Sequence, residues 1–350
     1  MLILLPLAFF YNTYISLHII IMKKNIALVA GGYSEEHIIS IGSAKTIEKN
    51  LDADKYSVYK IIITKESWYY EYQDSRIEVD KNDFSIIVAG NKINFEAVFI
   101  AIHGTPGEDG KLQGYFDMIG MPYTTCNAIV SAVTFNKSFC NKVVNDFGVV
   151  NIAKSVHLFK EDPYSLGSVL DKIQLPVFVK PNEGGSSIAT TKVSKVEDLH
   201  GAIEAVFAVD TQALIEEFIE GRELTMGVYR IGGEINTLPP TEIISKNEFF
   251  DYAAKYNNES EEVTPAQIPD NILRDLQDKA KVIFLRLNCK GFVRMDFILN
   301  KHNNELYFLE VNTMPGQSEQ SLIPQQVRAA GMQLNAFYEQ MLEECLRNKK

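Results

Sequence analysis

Four polar residues near the carboxyl end of the chain have the types and spacing of a site that could act on phosphate. Arg294 and Asp296 stand two positions apart in one apolar run, and Glu310 and Asn312 do so in the next. Side chains at positions i and i+2 of a β-strand point to the same face of a sheet. Two adjacent strands would therefore place all four side chains on one surface.

The chemistry of these side chains indicates a magnesium and phosphate site. Carboxylate and amide oxygens are ligands that Mg²⁺ prefers, and protein-bound Mg²⁺ commonly shares its coordination shell with substrate phosphates. A neighbouring arginine can contact phosphate or stabilise a developing oxyanion. The pattern therefore predicts phosphoryl chemistry on a nucleotide.

Composition limits the classes of partner. The chain has 350 residues, so two or three domains are expected, and its apolar share of 46% is typical of a folded globular protein. A formal net charge of −11 argues against nucleic acid or an anionic membrane as the main partner, because both require a basic surface.

The cysteines indicate a reducing compartment. They form no CxxC pair and have no histidine cluster beside them, which argues against a zinc site. Sparse, unpatterned cysteines in a chain of this size suit the cytoplasm. The four residues are Cys126, Cys140, Cys289 and Cys345.

Residues 1–21 are strongly apolar but do not match a targeting segment. They lack the basic start and the small-residue cleavage site of a signal peptide. Pro6 and several polar residues interrupt them, which disfavours a membrane-spanning helix. The sequence from Met22 has the character of a fresh start, so we expect a misassigned start or a disordered leader, with a membrane anchor as the alternative.

The elements that must position the site alternate between strands and helices in the first third of the chain. This alternation predicts a parallel α/β sheet with functional loops at the carboxyl ends of its strands. Strands are predicted at 25–30, 56–64 and 95–102, and helices at 39–51 and 112–119.

The remainder of the chain mixes strands and helices, and one segment lacks periodicity. The polar, tyrosine-rich segment 250–264 has the character of a long functional loop. Strands are predicted at 176–180, 188–193 and 213–216 and within 221–238. Helices are predicted at 128–147, 196–208 and 270–287 and from 334 onward.

Two lysines and a glycine-serine loop are candidate phosphate ligands. Lys180 ends an apolar strand, which favours burial and therefore an anionic partner, whereas Lys137 on a helix could be an ordinary surface group. The loop 183–188 could present backbone N–H groups to phosphate or could be a plain hairpin turn. The P-loop pattern GxxxxGK[ST] and the GxGxxG pattern are both absent, which disfavours a Walker NTPase and an ordinary Rossmann dehydrogenase.

Three further loops have both a functional and a plain interpretation. The segment 216–223 could be a hinge that contacts adenine and ribose, or a charged loop. Glu36 could bind a substrate ammonium, or could complement the dipole of the helix that follows. The loop that begins at His103 could be a substrate loop or a turn.

Taken together and in this order, these residues resemble the D-alanine–D-alanine ligase family of the ATP-grasp superfamily. The resemblance extends from Met22 to the carboxyl terminus. It rests on His103-Gly-x-x-Gly-Glu-Asp-Gly110-x-Leu-Gln-Gly114 and on Gly291-x-x-Arg294-x-Asp296 followed by Glu310-x-Asn312-Thr-x-Pro-Gly316. It implies a mixed α/β, three-domain ATP-grasp fold that begins with a parallel α/β sheet domain. The implied boundaries are 22–125, 126–216 and 217–350, with 1–21 as the leader.

The resemblance implies a site for ATP, which is the co-substrate, and for two Mg²⁺ (or Mn²⁺) ions. The implied phosphate ligands are Lys137, Lys180 and, in the long loop, Lys255. The implied adenine and ribose contacts are Glu216, Glu217, Ile219 and Glu223. The implied metal ligands are Asp296, Glu310 and Asn312. At Glu217 the chain departs from the family, whose members often carry lysine there, and this matters little if only the backbone contacts adenine.

The resemblance also implies how two D-alanine molecules bind and react. Glu36 would bind the ammonium of the first, and Ser321 and Leu322 would receive the second. Arg294 and the Gly316 backbone N–H would stabilise the oxyanion. The remaining residues implied to act in catalysis are Ser186 and Tyr256, which would close the loop with Glu36, and His103.

The implied reaction converts a carboxylate to an acyl phosphate, which an amine then attacks. Charge neutralisation drives the phosphoryl transfer, and the loop around 253–262 would keep water away from the acyl phosphate. Tyr256 favours the dipeptide over D-alanyl-D-lactate, because this position resembles phenylalanine in the related ligases that make D-alanyl-D-lactate. The resemblance further implies a cytoplasmic homodimer for cell-wall precursor synthesis.

Two alternatives stay open. One is an ATP-grasp ligase for another pair of substrates, such as D-alanine and D-lactate. The other is a non-catalytic nucleotide-binding protein tethered to a membrane, which only residues 1–21 support and which the intact set of four polar residues disfavours.

Overall fold

The computed structural model describes residues 23–185, 188–245 and 260–347, and the predicted leader at 1–21 lies outside them. The first sheet has the strand order β4-β3-β2-β1-β7. Its strands are β1 (Lys24–Gly31), β2 (Tyr56–Ile63), β3 (Trp68–Tyr72), β4 (Ser75–Glu78) and β7 (Ala97–Ile100). A small hairpin of β5 (Ile86–Val88) and β6 (Asn91–Ile93) lies beside them. The helices of this region are α1 (His37–Asn50) and α2 (Lys111–Ile119).

The parallel core of this sheet confirms the prediction from strand–helix alternation. Strand β1 pairs in parallel with both β2 and β7, and residues 26–30 of β1 are fully buried. The sheet as a whole is mixed, because β3 and β4 return antiparallel to β2. These two short, half-exposed strands carry little apolar periodicity, which is why the sequence prediction omitted them.

The second sheet is antiparallel and has the order β11-β10-β12-β9. Its strands are β9 (Ser155–Phe159), β10 (Val177–Pro181), β11 (Thr191–Val193) and β12 (Gln212–Glu217). The helices α5 (Leu166–Leu170) and α6 (Val196–Phe207) cover one face and form a core of valine, isoleucine and leucine with it. The other face carries Lys180 toward the third sheet's polar residues.

The third sheet has the order β16-β15-β13-β17-β18-β8, and β14 pairs with β13 at one side. Its strands are β8 (Asn151–Ile152), β13 (Gly221–Ile231), β14 (Glu234–Thr237), β15 (Thr241–Ser245), β16 (Ser260–Val263), β17 (Phe292–Asn300) and β18 (Leu306–Asn312). The helices that pack against it are α3 (Ala128–Phe135), α4 (Lys137–Asp146) and α7 (Asp270–Arg286).

The prediction of one continuous helix over 128–147 is wrong, because the chain breaks at Asn136. The backbone of Asn136 is extended, and its side-chain oxygen accepts a hydrogen bond from the N–H of Phe139 at 3.0 Å. An asparagine in this position caps a new helix. The break makes Lys137 the first residue of α4, where it faces the candidate site.

The carboxyl-terminal helices α8 (Leu322–Ala329) and α9 (Leu334–Arg347) return to the first sheet. Phe337, Tyr338 and Met341 share a buried core with β1 and β7. Lys24 and the Tyr56 hydroxyl both contact the Glu343 carboxylate at 2.8 Å. The last segment therefore stabilises the amino-terminal sheet, whereas the predicted domain boundaries stay predictions.

Across residues 23–185, 188–245 and 260–347, no helix combines the length and the apolarity that crossing a bilayer requires.

Candidate active site

Strands β17 and β18 bring the four polar residues of the opening prediction together. Their antiparallel register places Arg294 opposite Asn312 and Asp296 opposite Glu310. The apolar residues between them are buried in the core behind the sheet. This confirms the shared face that the i, i+2 spacing predicts.

Arg294 and Asp296 form a forked ion pair. The Arg294 Nε donates to Oδ1 of Asp296 at 2.9 Å, and Nη2 donates to Oδ2 at 2.7 Å. The hydroxyl of Thr225, directly opposite on β13, donates to the same Oδ1 at 2.6 Å. Burial alone would lower the pKa of Arg294, but the carboxylate of Asp296 outweighs it and raises that pKa above its usual value. The guanidinium is therefore fixed and permanently charged.

Lys137 links the glycine-serine loop to Glu310. Its ammonium donates to the backbone oxygen of Gly184 at 2.6 Å and lies 3.6 Å from Oε2 of Glu310. The side chain is only 13% exposed. Asn182 holds the same loop, because its side-chain oxygen accepts a hydrogen bond from the Ser138 N–H at 2.8 Å. Two hydrogen bonds thus join the first turn of α4 to the loop beside the carboxylates.

Lys180 forms a buried ion pair with Glu216 on the neighbouring strand β12. The second carboxylate oxygen of Glu216 accepts a hydrogen bond from the Asn141 amide at 2.9 Å. Burial alone would lower the pKa of Lys180, but the charges of Glu216, Glu310 and Glu223 raise it above its usual value. Lys180 is therefore a fixed cation, and the anion-binding lysine that the sequence predicts has a carboxylate partner in this structure.

Glu36 projects its carboxylate into a space between two glycine loops. A Cβ added to Gly104 would lie 2.9 Å from Oε2 of Glu36, and one added to Gly185 would lie 3.0 Å from Oε1. Both glycines therefore permit a close approach that any other residue would obstruct. The arrangement joins the amino-terminal loop to the glycine-serine loop at one carboxylate.

Glu108 lies in the same region and was missed by the sequence analysis. Its Oε2 accepts a hydrogen bond from the Gly104 N–H at 3.0 Å. Burial and the nearby Glu36 carboxylate raise the pKa of Glu108 to about 7. Its place within the motif that runs from His103 to Gly110 was the signal that could have identified it.

Gly316 stands next to the start of helix α8. A Cβ on Gly316 would lie 2.8 Å from the Ser321 hydroxyl oxygen, so the loop accepts only glycine there without rearrangement. Ser321 precedes the first helical residue, Leu322, and its hydroxyl lies 2.7 Å from that of Ser318. The N–H groups at such a helix start favour an anion, which suits the predicted binding of a D-alanine carboxylate.

His103 is buried, with only 6% of its surface exposed, and both of its ring nitrogens have protein partners. Burial lowers the pKa of His103, so the neutral imidazole is favoured. Its contacts connect the amino-terminal region to the loop that carries Gly316. The catalytic role that the family resemblance implies for this residue stays a prediction.

The predicted adenine hinge, 216–223, begins with the last two residues of strand β12 and ends in β13. The backbone N–H of Glu217 donates to the Lys154 oxygen at 2.9 Å, and that of Phe218 donates to the Pro176 oxygen at 3.1 Å. Ile219 and Glu223 are half-buried. The nucleotide contacts of this segment stay predictions.

Three predicted residues, Ser186, Lys255 and Tyr256, lie outside the described part of the chain. The hydrogen-bonded set that would close the loop and the γ-phosphate contact therefore also stay predictions.

The polar face suits a divalent cation by the chemistry of its donors. Among the described residues, no group of three or more histidine, cysteine, aspartate or glutamate side chains is arranged to hold a metal. The set here has two carboxylates, from Asp296 and Glu310, and one amide, from Asn312. Oxygen donors of this kind fit Mg²⁺, which keeps part of its shell for water and phosphate.

Comparison with known families accounts for most of the chain. A family model described as the D-ala D-ala ligase N-terminus matches residues 25–126, and one described as the D-ala D-ala ligase C-terminus matches residues 144–343. A D-alanine–D-alanine ligase of Parabacteroides distasonis is 45% identical over 330 residues, which are 94% of this chain and 99% of that protein. One of Flavobacterium johnsoniae is 44% identical, over 92% of this chain and 99% of that protein.

Solved structures have the same fold. The VanG D-Ala:D-Ser ligase of Enterococcus faecalis matches with a TM-score of 0.84 and 29% identity, over 93% of this chain and 100% of that one. D-alanyl-alanine synthetase A of Vibrio cholerae matches with a TM-score of 0.83 and 29% identity, over 93% and 98% of the two chains. These matches confirm the mixed α/β fold that the sequence predicts.

Proposed function

Because the chain belongs to the D-alanine–D-alanine ligase family, we propose that it uses ATP to join two D-alanine molecules into D-alanyl-D-alanine, a precursor for peptidoglycan. The observation that carries the proposal is the polar face on β17 and β18. Asp296 lies opposite Glu310 there, Arg294 lies beside them, and Lys137 approaches Glu310 from the glycine-serine loop. These are the charges that phosphoryl transfer followed by acyl transfer requires.

In the first step, a carboxylate oxygen of the first D-alanine attacks the γ-phosphorus of ATP. The bond from that phosphorus to the β–γ bridging oxygen breaks, which gives an acyl phosphate and ADP. Lys137 and Lys180 are the buried cations that neutralise the phosphate oxygens as charge moves toward ADP. Glu36 orients the substrate by holding its ammonium between the two glycine loops.

The metal ligands of this site are Asp296, Glu310 and Asn312, which would hold two Mg²⁺ ions. Bound Mg²⁺ supplies positive charge to the phosphate oxygens and a template for their alignment. The forked pair with Arg294 and the Thr225 hydroxyl hold the Asp296 carboxylate in place before the ions bind.

In the second step, the neutral amine of the second D-alanine attacks the acyl carbon. Ser321 and Leu322 at the start of α8 hold the carboxylate of this second molecule. The tetrahedral intermediate carries its negative charge on the former carbonyl oxygen, where Arg294 and the Gly316 N–H stabilise it. The attacking nitrogen loses one proton, which the departing phosphate or water takes up, and collapse of the intermediate expels inorganic phosphate and leaves the peptide bond.

The same proposal places the enzyme in the cytoplasm as a homodimer. Its four cysteines are free and buried, which fits a reducing compartment where ATP is abundant. The homodimer is inferred from the family, whose members are typically homodimers. Analytical sedimentation of the purified chain measures its oligomeric state directly.

The test is product formation by the purified chain with ATP, Mg²⁺ and D-alanine. We expect one phosphate for each D-alanyl-D-alanine, measured by coupled phosphate release and mass spectrometry, and no dipeptide with L-alanine. Added D-lactate or D-serine competes as a second substrate and reveals any other product. ATP-dependent phosphate release that D-alanine does not stimulate would contradict the proposal.

A further inference from the structure

A buried chain of hydrogen bonds encloses the loop that carries Gly316. The Ser43 hydroxyl accepts a hydrogen bond from the Gln317 N–H at 3.0 Å and lies 2.9 Å from Nε2 of His103. The Nδ1 of His103 lies 2.7 Å from the backbone oxygen of Met314. Ser43 and Gln317 are fully buried and His103 almost so, so each of these bonds is shielded from water.

The two terminal groups of this series of hydrogen bonds determine which atom donates each proton. The Met314 oxygen can only accept, so the proton of the neutral His103 ring lies on Nδ1 and leaves Nε2 as an acceptor. The Gln317 N–H can only donate, so the Ser43 oxygen accepts it and turns its own proton toward Nε2. The series of hydrogen bonds therefore has one donor-to-acceptor direction, from Gln317 through Ser43 and His103 to Met314.

The two ends of this chain lie on either side of Pro315 and Gly316. The side chain of Gln317 adds a second brace, because its amide donates to the Pro315 oxygen at 2.9 Å and accepts from the Tyr338 hydroxyl at 3.1 Å. Backbone groups before and after Gly316 are thus fixed, and with them the direction in which the Gly316 N–H points.

We propose that Ser43 and His103 are positioning residues that aim the Gly316 backbone N–H at the oxyanion of the second step. The inference rests on the proposed function, since it is the peptide-forming step that develops this oxyanion. Neither residue touches the reacting atoms; they act through Met314 and Gln317. Both come from the amino-terminal region, whereas the loop belongs to the carboxyl-terminal region.

Because the oxyanion develops only in the second step, its loss of stabilisation should change the ratio of phosphate to dipeptide. Formation of the acyl phosphate transfers a phosphoryl group and creates no tetrahedral carbon, so it does not need the Gly316 N–H. A misdirected N–H slows only attack by the second amine, and the waiting acyl phosphate reacts with water instead. Phosphate release then exceeds dipeptide formation.

The chain contains a matched control for Ser43, one turn earlier on helix α1. Ser40 is also fully buried, and its hydroxyl also accepts from a backbone N–H, that of Gly31 at 2.9 Å, and donates to a backbone oxygen, that of Ala101 at 2.8 Å. Replacing either serine by alanine removes the same groups at the same depth. Only Ser43 is connected to the loop of Gly316.

The experiment measures phosphate and D-alanyl-D-alanine in parallel for wild type, Ser43→Ala, Ser43→Cys and Ser40→Ala. Loss of one oxyanion donor slows an enzyme about 100-fold or more, so partial misdirection should lower dipeptide kcat about tenfold in Ser43→Ala. The ratio of phosphate to dipeptide should at least double, with KM for ATP unchanged. Ser43→Cys, a weaker donor and acceptor of similar size, should lie between, and Ser40→Ala should keep the wild-type ratio.

Hydrogen exchange of the segment 313–320 gives a second readout that does not depend on activity. We expect faster exchange in Ser43→Ala and Ser43→Cys than in wild type or Ser40→Ala. Equal ratios and equal exchange in the two alanine variants would overturn the inference, and Ser43→Cys decides alone if Ser43→Ala does not fold. A wild-type chain that makes no dipeptide would instead overturn the proposed function.

Discussion

The two halves of the candidate site treat negative charge in opposite ways. On the face of β17 and β18 and on the second sheet that lies opposite it, three carboxylates have a cation: Asp296 has Arg294, Glu310 has Lys137, and Glu216 has Lys180. Between the glycine loops, Glu36 and Glu108 instead lie close enough for one carboxylate to raise the pKa of the other.

This difference matches what each half would bind under the proposed function. The first half would accept phosphates, so its cations have to be fixed before the substrate arrives, and carboxylates hold them there. The second half would accept an ammonium, which two neighbouring carboxylates attract. The comparison implies that removing a charge should damage the two halves in different ways.

The largest effect should come from Glu310→Gln in the first half. The change removes a proposed metal ligand and leaves Lys137 without its carboxylate, so we expect kcat to fall by about 10³. Steady-state phosphate release at ordinary Mg²⁺ measures it. The control is Glu305→Gln, an exposed residue just before the same strand that should retain wild-type turnover. Near-normal turnover of Glu310→Gln would remove this residue from the metal site.

A smaller effect, now on stability, should follow from Lys180→Met. The Glu216 carboxylate would stay buried without a cation, which should cost about 3 kcal/mol in the free energy of unfolding. Urea denaturation measures it. The double variant Lys180→Met/Glu216→Gln should regain part of the loss, because no buried charge remains.

The matched control for this pair is exposed. Lys301 and Glu220 are about half-exposed, so Lys301→Met should leave the free energy of unfolding almost unchanged. If the single and double variants at the buried pair were equally unstable, the pair would not be the source of the loss.

How well the sequence predicted each half depends on how local its signals are. The face of β17 and β18 follows from alternation within two strands, so the shared surface of Asp296 and Glu310 could be predicted, whereas the register that places them opposite each other could not. The half that contains Glu36 and Glu108 joins residues from different loops. The burial that raises the pKa of Glu108 exists only after these loops pack together.

The partners of single polar residues were the least predictable. Ser40 and Ser43 look alike in the sequence, yet one binds the first sheet and the other binds Gln317, 274 positions away. Thr225 was missed for the same reason, since its bond to Asp296 depends on the register of β13 with β17. By contrast, the helix break at Asn136 was local, and capping preference could have located it.

The smallest effect concerns the neighbouring carboxylates of the second half, Glu36 and Glu108, and should appear as a pH dependence of stability. The pKa of Glu108 is raised to about 7, so the folded state keeps a proton that the unfolded state loses near pH 4.5. The contribution of Glu108 to the free energy of unfolding is therefore full below about pH 4.5. It declines between about pH 4.5 and 7, by about 2 kcal/mol for a half-buried group. Glu108→Gln cannot ionise and should abolish this decline.

Thermal unfolding from pH 4.5 to 8 tests this expectation as the difference in Tm between wild type and Glu108→Gln. The difference should change steadily up to about pH 7 and then level off. Saturating D-alanine should reduce the effect, because an ammonium beside Glu36 favours the ionised form of Glu108. If the difference in Tm between wild type and Glu108→Gln did not vary with pH, Glu108 would not have a raised pKa, and this contrast between the two halves would be wrong.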